Sequence, residues 1–315
     1  MNNKIILIKN QSDSIKGILI LLIILGHNFM LANYASQGRI FTWTYSFHVT
    51  MFFIIPFLYD KKEDPIRQTI KKTARKLLIP FVWFYLLSFT LYYIHYHPAF
   101  NTITFIKGLI PLNTDWIPQA AGVQYLWFCP VFFMFTIIKN IFPRLNKHLK
   151  CVLLSISAIC FCIVKMNSFF CKEIYCNLII ASLSYIFISW LTIKLYHSIS
   201  KDIYKYIAIV FGIYSILILS GIRLPKIINH LILPITFLSI LYLSRNYLCK
   251  SKILIAIGKL SFPIYMIHFF VNIIFEMTLK INLINGIISY ILTVLICYFM
   301  ITLFKKTTLY KIVFP

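Results

Sequence analysis

Acidic residues are scarce: eight Asp and Glu stand against 31 Lys and Arg in 315 residues, and charged side chains make up only 12% of the chain. With 60% hydrophobic residues and a mean hydropathy of +0.83, the composition lies outside that of a soluble globular domain. No stretch between the apolar runs is long enough to build its own soluble core. The longest connections, about residues 60–76 and 97–121, are too short for a catalytic domain, so any chemistry belongs at or inside the membrane. The eight cysteines offer neither a paired CxxC spacing nor a histidine at metal-ligand spacing, which argues against a metal site. Most read as free, buried thiols acting as small apolar residues, with a Cys171–Cys176 disulfide in an outer loop as the alternative. No repeat of fixed period is present. The net charge of +23 is spread between apolar runs rather than gathered in one stripe with interleaved aromatics, which argues against nucleic acid as a partner.

What is present is a series of apolar runs. At about 20 residues per tilted helix, transmembrane segments are expected near 16–34, 43–59, 77–96, 122–142, 150–166, 174–196, 204–220, 228–244, 253–276 and 283–304. The expectation is an all-α, polytopic membrane helix bundle of about ten transmembrane helices, forming a single domain over 1–315. Lys4, Lys9 and Lys16 ahead of the first run have the look of a secretory signal. The run continues past Gly26 and His27 to Met30 and Leu31, however, without a small-residue cleavage site.

Orientation follows from the loops. Lys4, Lys9 and Lys16, the group Lys61 to Lys76, then Lys139 to Lys150, Lys194 to Lys205, Arg245 to Lys259, and Lys305 to Lys311 fall on alternate connections. Arg39, Lys107, Lys165, Lys172, Arg223, Lys226 and Lys280 are left for the opposite side. The positive-inside rule therefore assigns both termini to the cytoplasm.

One residue in the first run is costly. Counted from Lys16 as the cytoplasmic foot, His27 lies about 16 Å along a helix, near the middle of a hydrocarbon core of about 30 Å. An ionisable group at that depth faces the bundle interior and finds a partner. A neutral imidazole there serves either as a structural bridge between helices or as a general base. Gly26 permits close approach of another helix or a substrate. Lys16 by itself reads as an interfacial anchor. His268 follows Tyr265 by three residues, so both project from one face of the ninth segment, at a depth like that of His27. Two histidines at one depth imply one polar cavity. His48, a few residues into the second segment, is expected near the outer mouth. Asp115 and Glu276 lie toward the outer side, where they are in reach of a sugar.

The stretch "DSIKGILILLIILGH", Asp13 to His27, resembles the first-helix signature of the membrane acyltransferase 3 family, the bacterial surface-polysaccharide O-acyltransferases. There an Arg or Lys, ten residues and a His mark the active helix; Lys16 and His27 match that spacing, and Asp13 and Gly17 match its Asp-x-x-Arg/Lys-Gly opening. "SFHVTMFFIIPFLY" (Ser46 to Tyr59) is similar to the second-helix segment and "KKTARKLLIPFVWFY" (Lys71 to Tyr85) to the basic entry of the third. "YLWF" (Tyr125 to Phe128) resembles the fourth, and "IGKLSFPIYMIHFF" (Ile257 to Phe270) the Ser-x-x-x-Tyr-x-x-His stretch near the end. One departure is Pro56-Phe57 in place of the family's Ser-Gly, which predicts a kinked helix end. The hydrolase-like extracytoplasmic domain fused to some members is not expected.

The resemblance implies a membrane-bound O-acyltransferase of the bacterial cytoplasmic membrane. It would move a short acyl group, acetyl by default, from acyl-CoA (acetyl-CoA) to a hydroxyl of a cell-surface glycan or lipid-linked glycan precursor, with no metal. His27 is then the base or transient acyl carrier. Lys16 orients the donor or steadies negative charge at the thioester. Lys71, Lys72, Arg75 and Lys76 clamp the phosphates of CoA, or alternatively contact lipid phosphates. Asp13, His48, Ser261, Tyr265, His268 and Trp127 contribute to the substrate cavity. Membrane lipid is the standing partner, and homo-oligomers or envelope-biosynthesis partners remain open. The alternative reading is a transporter or polysaccharide exporter with histidines lining its path; few carboxylates in the spans, no inverted repeat and no pair of broken helices speak against it.

Overall fold

The computed structural model describes residues 7–58, 64–166, 170–199, 203–222, 224, 229 and 232–315. Regular structure among these is helical, apart from an isolated antiparallel bridge between Asn113 and Asn177. Seven helical stretches among the described residues are long and apolar enough to cross a membrane: 39–58, 66–96, 125–144, 147–165, 178–198, 261–278 and 283–304. The protein is an all-α membrane bundle. Lys4, Lys61, Lys62, Lys201, Arg223 and Lys226, which entered the orientation count, lie outside the described residues, as does part of the segment expected at 228–244.

The chain groups into two compact units. The first comprises Met1–Asp60 with Trp190–Lys306, the second Lys61–Ser189 with Thr307–Pro315.

In the first unit, α1 (Lys9–His27) is followed by a π-helical turn (Met30–Ala35), α2 (Arg39–Tyr45) and α3 (His48–Ile54). The helix then tightens to 3-10 geometry over Ile55–Leu58, where Pro56 has no N–H to give. Later come α11 (Tyr204–Leu219), α12 (Leu233–Asn246), α13 (Lys252–Lys259), α14 (Ser261–Thr278) and α15 (Leu283–Phe304).

Two expectations change here. The first helix does not begin at Lys16: it starts at Lys9, so Lys16 lies well inside it and His27 is its last residue. Buried polar residues Ser12, Asp13 and Ser14 keep this stretch off the apolar count, yet tertiary partners hold it helical. The ninth segment is likewise two helices, broken at Leu260 between α13 and α14.

The second unit contains α4 (Ile66–Tyr96), α5 (Thr102–Leu109), α6 (Trp116–Ala121), α7 (Phe128–Ile141), α8 (Lys147–Lys165), α9 (Lys172–Tyr175) and the first half of α10 (Leu178–Ser198), with α16 (Thr308–Val313). Asn side chains cap two of these starts: Asn101 accepts from the Thr104 N–H and Asn146 from the Leu149 N–H, satisfying donors that a helix start leaves open. All eight cysteines are free thiols, and only Cys129, Cys160 and Cys297 are buried. Cys151, Cys162 and Cys171 are exposed, against the expectation of burial.

Candidate active site

The site is built around α1. A Cβ on Gly17 would collide with the Leu254 carbonyl, and one on Gly258 with the Asp13 carbonyl. The two glycines let α1 and α13 touch backbone to backbone, the close approach that small residues allow in membrane helices. Ser14 Oγ lies 2.6 Å from Ser244 Oγ on α12, which also donates to the Gln11 carbonyl at 3.3 Å. Lys16 Nζ lies 3.3 Å from Asp13 Oδ1, with the Asp13 side chain 8% exposed and that of Lys16 29%. The other carboxylate oxygen of Asp13 is buried without a hydrogen-bond partner among the described residues. This pair fixes the lysine one turn above its acid.

At the far end α1 stops because Asn28 turns extended (φ −81°, ψ 100°). The Asn28 amide donates to Ser289 Oγ at 2.8 Å and its carbonyl oxygen accepts from the Leu31 N–H at 3.0 Å. Glu276 Oε1 accepts from the Phe29 N–H at 3.1 Å. Polar groups of α14 and α15 thus replace the helical bonds that the break removes. The imidazole of His27 consequently sits at a helix C-terminus, where the helix dipole favours positive charge.

Three histidines gather there. His27 Nδ1 lies 2.7 Å from His268 Nε2, with the rings 5.0 Å apart and tilted by 10°. His268 Nδ1 in turn bonds the Tyr265 carbonyl at 2.6 Å. A carbonyl only accepts, so His268 carries its proton on Nδ1 and its neutral ring presents Nε2 as an acceptor. His27 must then donate through Nδ1. That leaves the lone pair of His27 on Nε2, the nitrogen a general base needs. His268 is wholly buried on α14, and beside it lies the buried Tyr265, whose ring centroid is 5.7 Å from that of His268.

His48, expected at the water-facing mouth, is instead buried at the start of α3. The chain kinks between α2 and α3, His48 Nδ1 donates to the Thr44 carbonyl, and Nε2 is left buried and unpartnered among the described residues. The Tyr45 ring stands between the histidines, 5.7 Å from His27 and 4.9 Å from His48. Gly26 makes room for this: a Cβ there would lie 2.8 Å from Thr44 Oγ1 and 3.2 Å from the Tyr45 ring. Thr44 and Tyr45 had no signal in the sequence beyond their nearness to His48. Among the described residues no group of three His, Cys, Asp or Glu side chains converges to hold a metal ion.

Other expected site residues fall elsewhere. Ser261 is buried as the first residue of α14. Lys71, Lys72, Arg75 and Lys76 are exposed near the start of α4, in the second unit, with Lys72 paired to Asp64 at 2.9 Å. Helix already runs there, so Lys72 and Arg75 share a face. Trp127 also belongs to the second unit, 6.4 Å from the Tyr185 ring. A feature missed in the sequence is a pocket of about 440 Å³ in the first unit, lined by Lys252, Lys259 and Lys305 with Tyr298, Thr302 and Asn10. Three ammonium groups without a carboxylate in the lining suit a phosphate.

No curated protein and no solved structure matches this chain. The family model of the acyltransferase domain, that of the acyltransferase 3 family, matches residues 9–304, from the first residue of α1 to the last of α15. The signature residues Asp13, Lys16, Gly17 and His27, the hydrogen-bonded histidine pair and this match agree, and the chain belongs to the acyltransferase 3 family of membrane proteins.

Proposed function

We propose that the protein is a membrane-bound O-acyltransferase of a bacterial cytoplasmic membrane. It transfers a short acyl group, acetyl by default, from acyl-CoA to a hydroxyl of a cell-surface glycan or its lipid-linked precursor. The observation that carries the reading is the bond from His27 Nδ1 to His268 Nε2, which leaves His27 Nε2 unprotonated.

In this mechanism Nε2 removes the proton of the acceptor hydroxyl as its oxygen attacks the thioester carbonyl. The tetrahedral adduct collapses with cleavage of the C–S bond, the ester forms, and the imidazolium returns its proton to the departing CoA thiolate. The end of α1 and the acceptor nitrogen of His268 both favour the transient positive charge. Lys16 lies about 16 Å along α1 from His27, too far for both to meet one carbonyl. Of its two expected roles, orienting the donor is the one this spacing supports. The donor's phosphates suit either Lys252, Lys259 and Lys305 of the first unit or, as the separate alternative, Lys71, Lys72, Arg75 and Lys76 of the second.

The transport reading loses one argument against it, because the first unit contains two broken helices, at Asn28 and at Leu260. Membership of an acyltransferase family favours the enzyme. The test is purified protein in detergent with labelled acetyl-CoA and envelope glycans. Label in an alkali-labile glycan ester supports the reading; solute flux in liposomes without ester formation overturns it.

A further inference from the structure

The second unit holds a pocket of about 340 Å³ whose lining includes Asp115, Gln124, Trp127, Lys172, Tyr175 and Tyr185, within the range of about 300–1,000 Å³ of ligand sites. Its rim is fastened. The Thr114 N–H donates to the Cys176 carbonyl and the Leu178 N–H to the Leu112 carbonyl, each at 2.9 Å. Asn113 Nδ2 donates to the Glu173 carbonyl at 3.1 Å. Two connections far apart in sequence are thus stitched into one preformed surface, which lowers the ordering cost of binding.

The chemistry of the lining is specific. The partly exposed Trp127 ring presents flat apolar area and lies nearly parallel to the buried Tyr185 ring, 14° between planes. Lys172 Nζ lies 2.7 Å from Asp115 Oδ1, and Gln119 Nε2 donates to Asp115 Oδ2 at 2.6 Å. This ion pair cancels the local charge, which disfavours a phosphate or nucleotide. What remains is an aromatic face flanked by a carboxylate, an ammonium and the exposed Gln124 amide. A pyranose ring has the complementary surfaces: C–H faces that stack on aromatic rings, and neighbouring hydroxyls that donate to a carboxylate and accept from an amide or ammonium. The positive-inside count assigns these connections to the outer side of the membrane.

We infer that this pocket is a saccharide-binding subsite of the second unit, taking an uncharged pyranose of the acceptor glycan. Its assignment to the acceptor rests on the acyltransferase reading; its affinity for sugar does not. The ring stacks against Trp127, which Tyr185 backs, while Asp115, Lys172 and Gln124 engage its hydroxyls.

The test uses the full chain in detergent without acyl-CoA. The probe is the oligosaccharide pool released by mild acid from the envelope of the cells that make the protein, with binding read by equilibrium retention. Wild type is expected to retain oligosaccharide, and Trp127→Ala and Gln124→Ala to weaken retention by about threefold to tenfold. Lys147→Ala, exposed on α8, should leave it unchanged. Gln124 is exposed, so its variant keeps the test valid if Trp127→Ala does not fold. No retention by wild type, or equal retention by wild type and both pocket variants, overturns the subsite. Acyl transfer to the same pool with unchanged acceptor KM in both pocket variants overturns the subsite and leaves the activity standing. Retention without any transfer overturns the activity and leaves the subsite standing.

Discussion

His268 Nε2 lies 2.7 Å from His27 Nδ1, and the remaining nitrogen of His268 is committed to the Tyr265 carbonyl at 2.6 Å. The second imidazole therefore fixes both the tautomer and the orientation of the first. His268→Ala is expected to lower kcat about 100-fold, the cost of a reacting group misplaced by about 1 Å, with little change in KM. His268→Gln, which retains an acceptor oxygen, should recover part of the loss. Steady-state kinetics of the two variants in detergent check this. A matched fall in folded yield with unchanged kcat would reduce His268 to packing.

The contact of α1 with α13 depends on two positions without a Cβ. Gly17→Ala and Gly258→Ala force backbone apart from backbone and are expected to cost about 1–3 kcal/mol each. Gly212 on α11 has nothing within 4 Å of a built Cβ. Gly212→Ala is therefore expected to be neutral or stabilising by up to about 1 kcal/mol. Melting temperatures in one detergent compare the three.

Breaking the Asp13–Lys16 pair from its two ends gives unequal results. Lys16→Met leaves a nearly buried carboxylate with neither oxygen paired, an orphaning cost of about 1–3 kcal/mol. Asp13→Asn removes the buried charge and keeps an oxygen that accepts from Lys16, which reaches solvent, and is the milder change. Thermal stability of the two variants, measured side by side, tests the order.

The Asp115–Lys172 pair tests pH dependence outside the membrane spans. The hydrogen bond and charge of Asp115 raise the Lys172 pKa above its ordinary value of 10.5. A group whose folded pKa is raised contributes stability that is fully present below the unfolded value and is lost as pH rises through the folded one. The melting-temperature difference between wild type and Lys172→Met is therefore expected to hold constant from neutral pH up to that ordinary value and to vanish as pH rises through the raised one. A difference that instead grows with alkalinity contradicts the pairing.

The histidine pair was legible because both imidazoles fell at one depth on apolar runs, a placement that only a shared polar cavity makes tolerable. The end of α1 at Asn28 was not legible. Apolar residues resume at Phe29 to Ala32 directly after His27 and Asn28, and the partners that stabilise the break, Glu276 and Ser289, stand about 250 positions away. Hydropathy also hid the true start of α1: Ser12, Asp13 and Ser14 look like a loop but are buried against helices that Gly258 and Ser244 bring close. His48 was misplaced for a related reason. The α2–α3 kink at Ser46 and Phe47 turns it inward, and neither residue is a helix breaker by type.

The central claim is that His27 Nε2 takes the acceptor's proton. The most direct measurement is acceptor-dependent release of CoA from acetyl-CoA by wild type and by folded His27→Ala under the same conditions. Loss of a general base predicts a fall of about 10²–10⁴-fold in the variant with acetyl-CoA binding retained; equal release from both proteins would contradict the account and return His27 to a packing role.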